Sequence, residues 1–354
     1  MRVAYTLEQC WHAVPGGTAV SAIEVASRLA SDGDVEVIGV AGRHGAPAVA
    51  GFEPPIAVRA LPIGRPFLYR AWVWAGWPRI ESTVDCDLVH STTIIPPATR
   101  KPLVVTVHDL AFLRHPEFFS SRANRMFRRS LDLVRDRASL VLCSSRATLD
   151  DCRDAGIEVE RMRHVPLGVT PRAVTDVDRA RVAATYELPE RFVLFVGTLE
   201  PRKNLARLVE ALASRPGMPP LVVAGMEGWG EWQPAHAHDV RFLGFVPAHN
   251  LPAIYEAATV FAFPSLWEGY GLPVVEAMSH GTAVVTSRAT STEEVAGGAA
   301  VLVDPLDVAS IADGIDEALA DTARLGDAGR VRAAECTWDA TAAATLAAYR
   351  EVLR

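Results

Sequence analysis

The chain has 354 residues, 49% hydrophobic and 22% charged, a balance that excludes a disordered polymer and supports a large buried core. A net charge of −7, from 35 basic and 42 acidic residues, excludes the broad positive field that wraps nucleic acid. Any anionic ligand must then be held by local groups. The longest apolar runs, about 6–10 residues, fall well short of the ~20 needed to span a bilayer, which leaves only peripheral membrane contact open.

Single cores stop growing near 250–300 residues, so this length predicts two domains of about 170 residues each and a cleft between them. Short β-branched and apolar runs alternate with longer amphipathic segments, the pattern of β-α-β units on parallel sheets. In the first half, strands are predicted over 2–6, 35–40, 57–61, 87–90, 103–107, 140–143 and 163–165, with helices starting near Gly17, Phe67, Ser121 and Arg146. From 166 to 189 the chain turns polar and irregular, which makes this stretch the linker candidate, with the domain boundary placed at 168/169. The second sheet is expected to begin at Phe192, with strands over 192–196, 221–224, 240–243, 260–262, 283–286 and 300–303. The final segment, 338–354, is long enough to return to the first domain. The fold class is therefore α/β, two doubly wound Rossmann-like domains.

Five cysteines (Cys10, Cys86, Cys143, Cys152, Cys336) are scattered with no C-x-x-C pair, and Glu8 interrupts the N-terminus before any long apolar run. The expectation is a reduced, cytoplasmic protein. Lysine occurs only as Lys101 and Lys203.

Ligands of open α/β sheets bind beyond the carboxyl ends of strands, so residues that directly follow a strand carry the functional information. Four segments qualify. Gly16 and Gly17 separate the first strand from its helix, where glycine admits close approach of a ligand to the backbone. His108-Asp109 ends the 103–107 strand; it reads either as an imidazole at the mouth of the sheet or as a local cap, Asp109 closing the next turn. In Gly197-Thr198-Leu199-Glu200-Pro201-Arg202-Lys203-Asn204, two cations precede a helix whose macrodipole disfavours them, unless an anion shares the site. The most informative segment is 265–278. There Gly269-Tyr270-Gly271-Leu272-Pro273 leads into a helix whose first N–H groups suit a diphosphate, and Glu268 and Glu276 flank the turn. A carboxylate offers only acceptors and a vicinal diol offers two donors, so these acids fit sugar hydroxyls.

With the E-x7-E pair Glu268/Glu276, the GTLEPRKN segment, His108-Asp109 and the Gly16-Gly17 loop in hand, the chain resembles the retaining GT-B glycosyltransferases of family 4. That group contains bacterial mannosyltransferases and sucrose-phosphate-synthase-like enzymes. The resemblance covers nearly the whole chain and implies an N-terminal acceptor domain (1–168 plus 338–354) and a C-terminal nucleotide-sugar domain (169–337). It implies that Arg202 and Lys203 hold the donor diphosphate, that Glu276 binds the ribose, and that Glu268 and His108 contact the transferred hexose. Gly16, Gly17, Gly197, Thr198, Gly269, Tyr270, Gly271 and Leu272 would line the donor pocket, with the base near Phe245-Val246-Pro247. The family often carries an arginine directly after the glycine at the Gly197 position; Thr198 stands there instead, which implies fewer diphosphate contacts.

The donor expected from this resemblance is a nucleotide sugar, GDP-mannose first and a UDP-hexose second. The acceptor stays open among saccharide, lipid and natural product. Neither a cofactor nor a metal is called for, since the D-x-D triplets at Asp32, Asp85 and Asp176 lie in turns, before a strand or in the linker. The expected chemistry is a front-face substitution, with Asp109 and Glu200 the nearest candidates for a covalent alternative. An epimerase, a phosphorylase or a non-catalytic sugar-nucleotide binder on the same scaffold are the competing readings. A weak membrane contact is a further expectation, from Arg122, Arg125, Arg128, Arg129, Arg135 and Arg137 together with Trp72, Trp74 and Trp77.

Overall fold

The computed structural model describes residues 1–226 and 238–354. The chain divides into two compact units, Met1–Gly168 with Trp338–Arg354, and Val169–Thr337.

Unit 1 is built on seven parallel strands: β1 (Arg2–Thr6), β2 (Glu36–Ala41), β3 (Val58–Ala60), β4 (Leu88–Ser91), β5 (Leu103–Val107), β6 (Leu140–Cys143) and β7 (Met162–His164). Their order is β3-β2-β1-β4-β5-β6-β7. The direction of winding reverses between β1 and β4, so the ends of these two strands form the switch point. β4 and β6 are buried along their whole length, as strands covered on both faces must be, and this explains continuous runs such as LVLC in place of alternation. The helices are α1 (Gly16–Ala30), α2 (Phe67–Arg70), α3 (Ala111–Arg114), α4 (Ser121–Arg137) and α5 (Arg146–Asp154). α2 continues as a wider, π-type turn over Ala71–Ala75 that Gly76 ends in the left-handed region.

Unit 2 holds a six-stranded parallel sheet: β8 (Val193–Val196), β9 (Leu221–Ala224), β10 (Val240–Gly244), β11 (Val260–Phe263), β12 (Ala283–Ser287) and β13 (Val301–Val303). The order is β10-β9-β8-β11-β12-β13, so its switch point lies between β8 and β11. Around it lie α6 (Asp176–Thr185), α7 (Leu205–Ala213), α8 (Leu251–Ala257), α9 (Leu272–Ser279), α10 (Ser291–Ala296), α11 (Val308–Ala320) and α12 (Thr322–Glu335). Phe195, Phe261 and Phe263 are fully buried and pack as a row, with ring centroids 5.7–5.8 Å apart, under the ends of β8 and β11.

The last helix, α13 (Trp338–Val352), belongs to unit 1 and packs on α1. Tyr349 is buried there, with its hydroxyl 2.5 Å from His90 Nδ1, while Thr341 donates to the Pro166 carbonyl at 2.8 Å.

The linker expectation needs correction. Residues 166–189 are not irregular throughout, because α6 occupies Asp176–Thr185 behind a capping box in which the Thr175 hydroxyl and the Asp178 carboxylate satisfy each other's backbone N–H. Unit 2 accordingly begins at Val169, ahead of its first strand, and Val169 bridges to Thr337 at the far end of the unit. All five cysteines are free and buried. Among the described residues no helix is long and apolar enough to cross a membrane.

Candidate functional site

The carboxyl edge of the second sheet gathers the two cations and one of the acids. The turn after β8 is a short 3-10 segment, Pro201–Lys203, and the loop after β11 runs from Pro264 to Gly271, so neighbouring strands at the switch point deliver them side by side. Lys203 Nζ lies 2.7 Å from Glu268 Oε1, and Arg202 reaches the same oxygen at 3.0 Å. Arg202 also pairs with Glu200 at 2.7 Å and donates to the Trp267 carbonyl at 3.2 Å. Lys203, Glu200 and Glu268 are all buried. The anion that the cations call for is thus supplied first by the chain itself.

Two acids and two cations leave this cluster formally neutral. Burial alone would raise the Glu268 carboxyl, but Arg202 and Lys203 outweigh it and hold the group below the usual carboxylate range. Lys203 goes the other way; burial pushes its ammonium below the usual lysine value, and Glu268 only partly opposes this. The ammonium also stands 4.6 Å from the centre of the Phe263 ring, a cation–π contact.

The acid loop is clipped from behind by hydroxyls of the next β-α turn. Ser287 donates to the Ser265 carbonyl at 2.6 Å and Ser291 to the Glu268 carbonyl at 2.7 Å. Gly271 then caps α9 with φ 108°, and a Cβ there would stand 2.8 Å from Thr292 Cγ2, so only glycine fits. Pro273 occupies the first turn of α9, where its missing N–H costs nothing. Gly269, Tyr270 and Leu272 are buried in this turn, and the Tyr270 side chain hydrogen-bonds to Cys336 within the unit.

Glu276 lies one turn into α9, half-buried, and accepts from the Tyr255 hydroxyl at 2.9 Å. Burial raises its carboxyl above the usual range; the Tyr255 bond and the charge of Arg172 oppose that rise. Gly197 sits against the Lys203 side chain, 3.6–3.8 Å from a Cβ built there. The chain at Gly197-Thr198 also runs hard against Gly225, whose Cβ would fall 1.9 Å from the Gly197 carbonyl oxygen. Beyond β10, Val246 is buried and Phe245 exposed.

The remaining sequence candidates belong to unit 1. Gly16 opens α1 in the left-handed region and is followed by Gly17. The His108 carbonyl takes hydrogen bonds from Ser144 and Thr148, its ring bonds to the Thr92 backbone, and its Nε2 is buried without a hydrogen-bond partner among the described residues. Burial lowers the imidazole pKa, so the ring is neutral near pH 7. Asp109 accepts from the Ala111 N–H at 3.0 Å, which is the local capping role. Three residues of consequence carry no role in the sequence reading: Tyr255, Arg172 and Asn204. Tyr255 and Arg172 could not be tied to Glu276 without the fold, whereas Asn204 stands inside the quoted GTLEPRKN segment.

The profile described as "Glycosyltransferase Family 4" matches residues 15–172, and that of "Glycosyl transferases group 1" matches residues 177–332. An Escherichia coli protein named O-antigen chain mannosyltransferase B is 32% identical over 287 residues, covering 74% of each chain. The chain belongs to family 4 of the glycosyltransferases. A second relative of this glycosyltransferase, the MMP alpha-(1->4)-mannosyltransferase of Mycolicibacterium hassiacum, is 30% identical over 76% of this chain and 71% of its own. Among solved structures, the Anabaena protein HepE in complex with UDP and glucose matches with a TM-score of 0.76 at 22% identity over 99% of both chains, and WaaG with 0.70 at 18% over 98% and 99%. These likenesses establish the GT-B fold, in keeping with two parallel sheets flanked by helices.

Proposed function

We propose that this glycosyltransferase moves a hexose from a nucleotide diphosphate sugar to an acceptor hydroxyl with retention of anomeric configuration, without a metal ion. One observation carries the reading: Arg202, Lys203 and Glu268 converge at the switch point of unit 2, on the turn that opens α9. The leaving diphosphate gains negative charge as the glycosidic bond breaks. Buried Lys203, half-buried Arg202 and the first N–H groups of a helix can take up that charge in place of a divalent ion. Unit 2 is then the donor unit and unit 1 the acceptor unit.

Within that proposal, Glu276 accepts from the ribose diol, Glu268 from a hexose hydroxyl, and the backbone of Gly197, Thr198, Gly269, Tyr270, Gly271 and Leu272 contacts phosphate and sugar. Val246 borders the base. His108, neutral at physiological pH, is assigned a hydrogen bond to the hexose, and Gly16 and Gly17 a backbone contact. In a front-face step the acceptor oxygen bonds to the anomeric carbon on the side the leaving group departs, and its proton passes to the departing phosphate oxygen. No covalent carboxylate intermediate is then needed. Asp109 is committed to the Ala111 N–H and Glu200 to Arg202, which supports this choice over a double displacement.

Mannose is the proposed hexose, carried as GDP-mannose, on the strength of the two mannosyltransferase relatives; UDP-hexose is the second donor. The acceptor is a saccharide, lipid or natural-product hydroxyl. The proposed setting is cytoplasmic, with a weak contact to the inner face of the membrane. A thermal-shift panel of GDP-mannose, UDP-glucose, GDP and UDP tests the donor, since a ligand at 100 times its Kd adds ~2.7 kcal/mol. Lys203→Ala and Glu276→Ala should each abolish the shift. Retention of the shift in both would misplace the site, and loss of transfer in a chelator would restore a metal-dependent mechanism.

A further inference from the structure

Asn204 follows Lys203 and precedes α7, with φ 62° and ψ 27°. Few residues other than glycine hold this left-handed conformation, and asparagine is the commonest of them. An asparagine in front of a helix usually turns its side chain back onto the helix N–H groups. This one does not. Its Nδ2 donates to two carbonyls outside its own helix, Pro264 at 2.9 Å and Pro305 at 2.6 Å, and its Oδ1 accepts from Arg207 at 2.8 Å. The side chain is buried, and its bond to Pro264 is shielded from water.

Pro264 is the residue at which the acid loop leaves β11. The Asn204 side chain therefore ties the cation turn to the start of the loop that carries Glu268, across 60 residues of sequence. A backbone bond joins the same two segments, from the Leu266 N–H to the Arg202 carbonyl at 2.8 Å, beside the contacts of Arg202 and Lys203 with Trp267 and Glu268. Lysine is a long side chain with considerable rotamer entropy, and its ammonium reaches a set position only where its own backbone is fixed.

We propose that Asn204 is the positioning residue of the donor diphosphate site: its left-handed backbone and its bonds to Pro264 and Pro305 hold Arg202 and Lys203 in register with the acid loop. The inference rests on the donor site proposed above. It assigns Asn204 no contact with the substrate; its effect is confined to the phosphates, because the ribose and base partners lie on α9 and after β10.

The test compares the full-length protein with Asn204→Gly, which keeps the backbone conformation and removes only the side-chain bonds. Affinity is measured by calorimetry for GDP and for guanosine, with UDP and uridine as the second pair. The expected result is a loss of roughly tenfold or more for the diphosphate with the nucleoside held within about twofold. Equal loss for diphosphate and nucleoside would mark a merely structural residue, and unchanged diphosphate affinity would remove the role altogether. Should Asn204→Gly fail to fold, Asn204→Asp decides by the same pair, because it keeps size and backbone but sets an oxygen against the Pro264 and Pro305 carbonyls. A wild-type protein that binds none of the four probes sinks the donor-site reading itself, and Asn204 with it; wild-type binding with no change in the variant sinks Asn204 alone.

Discussion

Lys203 Nζ and Glu268 Oε1 lie 2.7 Å apart in a buried pair whose members come from turns after two adjacent parallel strands. Arg202 shares that oxygen. The acid thus holds the cations in place, and their removal from water is offset by a charge the fold itself supplies. Such preorganisation keeps two cations close together without the conformational cost of gathering them on binding.

Removing one member of such a set leaves charge buried without compensation. Glu268→Ala should destabilise unit 2 by ~3–5 kcal/mol, read from urea unfolding at pH 7. The double variant Lys203→Met/Glu268→Leu should recover part of that loss, since an apolar pair of similar volume need not be worse than an ion pair. It should bind no nucleoside diphosphate. Because the folded carboxyl is held below its unfolded value, the Glu268 contribution is present above the unfolded carboxylate pKa and fades as pH falls through the folded one. Acidification should therefore narrow the stability gap between wild type and Glu268→Gln; a gap that widens would contradict the pairing.

Glu276 has the opposite sign. Its carboxyl is raised by burial, so the folded state binds the proton more tightly than the unfolded chain does. The stability from that proton is complete below the unfolded pKa and lost as pH rises through the folded value, which makes the ionised group a burden near pH 7. Glu276→Gln should then raise the melting temperature at pH 7 and weaken donor binding, a trade of function for stability. Tyr255→Phe removes the bond that opposes the rise. The acid limb of nucleotide binding should move to higher pH in that variant, and a limb that stays put or moves to lower pH would separate Tyr255 from the titration.

The proposed membrane contact is narrower in the structure than in the sequence. Trp72 is buried, with its indole N–H on the Pro78 carbonyl, while Arg135 pairs with Asp132 and Arg137 bonds to the Thr99 carbonyl. Phe67, Trp74 and Trp77 remain exposed, beside a helix whose Arg122, Arg125, Arg128 and Arg129 are exposed and carry no ion pair among the described residues. Sedimentation with phosphatidylglycerol vesicles should be seen at low salt, weaken at high salt, and be lost in Trp74→Ala/Trp77→Ala. Binding that survives both changes would point to another surface.

The sheets were legible because parallel strands are buried on both faces and read as unbroken apolar runs; 103–107, 140–143 and 221–224 coincide with β5, β6 and β9 to the residue. α6 was hidden because it buries only Val182, so no apolar stripe marks it, although the Thr175-x-x-Asp178 capping box stood in view. The cation pair and the two acids could be picked out by residue type after a strand. Their mutual contact could not, since it depends on β8 and β11 being neighbours despite two intervening strands. The same holds for Asn204 on Pro264 and Pro305, a matter of strand order, and the bond of Tyr255 to Glu276 depends on α8 packing on α9; local pattern encodes neither.

Gly271 offers the sharpest separation of backbone and packing at the site. Its φ of 108° strains any side chain, and an added Cβ meets Thr292 Cγ2 at 2.8 Å. Thr292 cannot swing clear, because it is fully buried and its hydroxyl donates to the Ser287 carbonyl at 3.2 Å. Gly271→Ala should cost ~1–3 kcal/mol in unfolding and weaken nucleoside diphosphate binding by shifting the start of α9. Adding Thr292→Ser keeps the hydroxyl bond and deletes the clashing methyl, so the double variant should regain the packing share of the loss and retain the backbone share. Full recovery would mean that the left-handed turn carries no strain, and no recovery that the methyl contact is relieved elsewhere. Measuring stability and diphosphate affinity on the same three proteins tells whether the helix start, rather than bulk stability, governs that affinity.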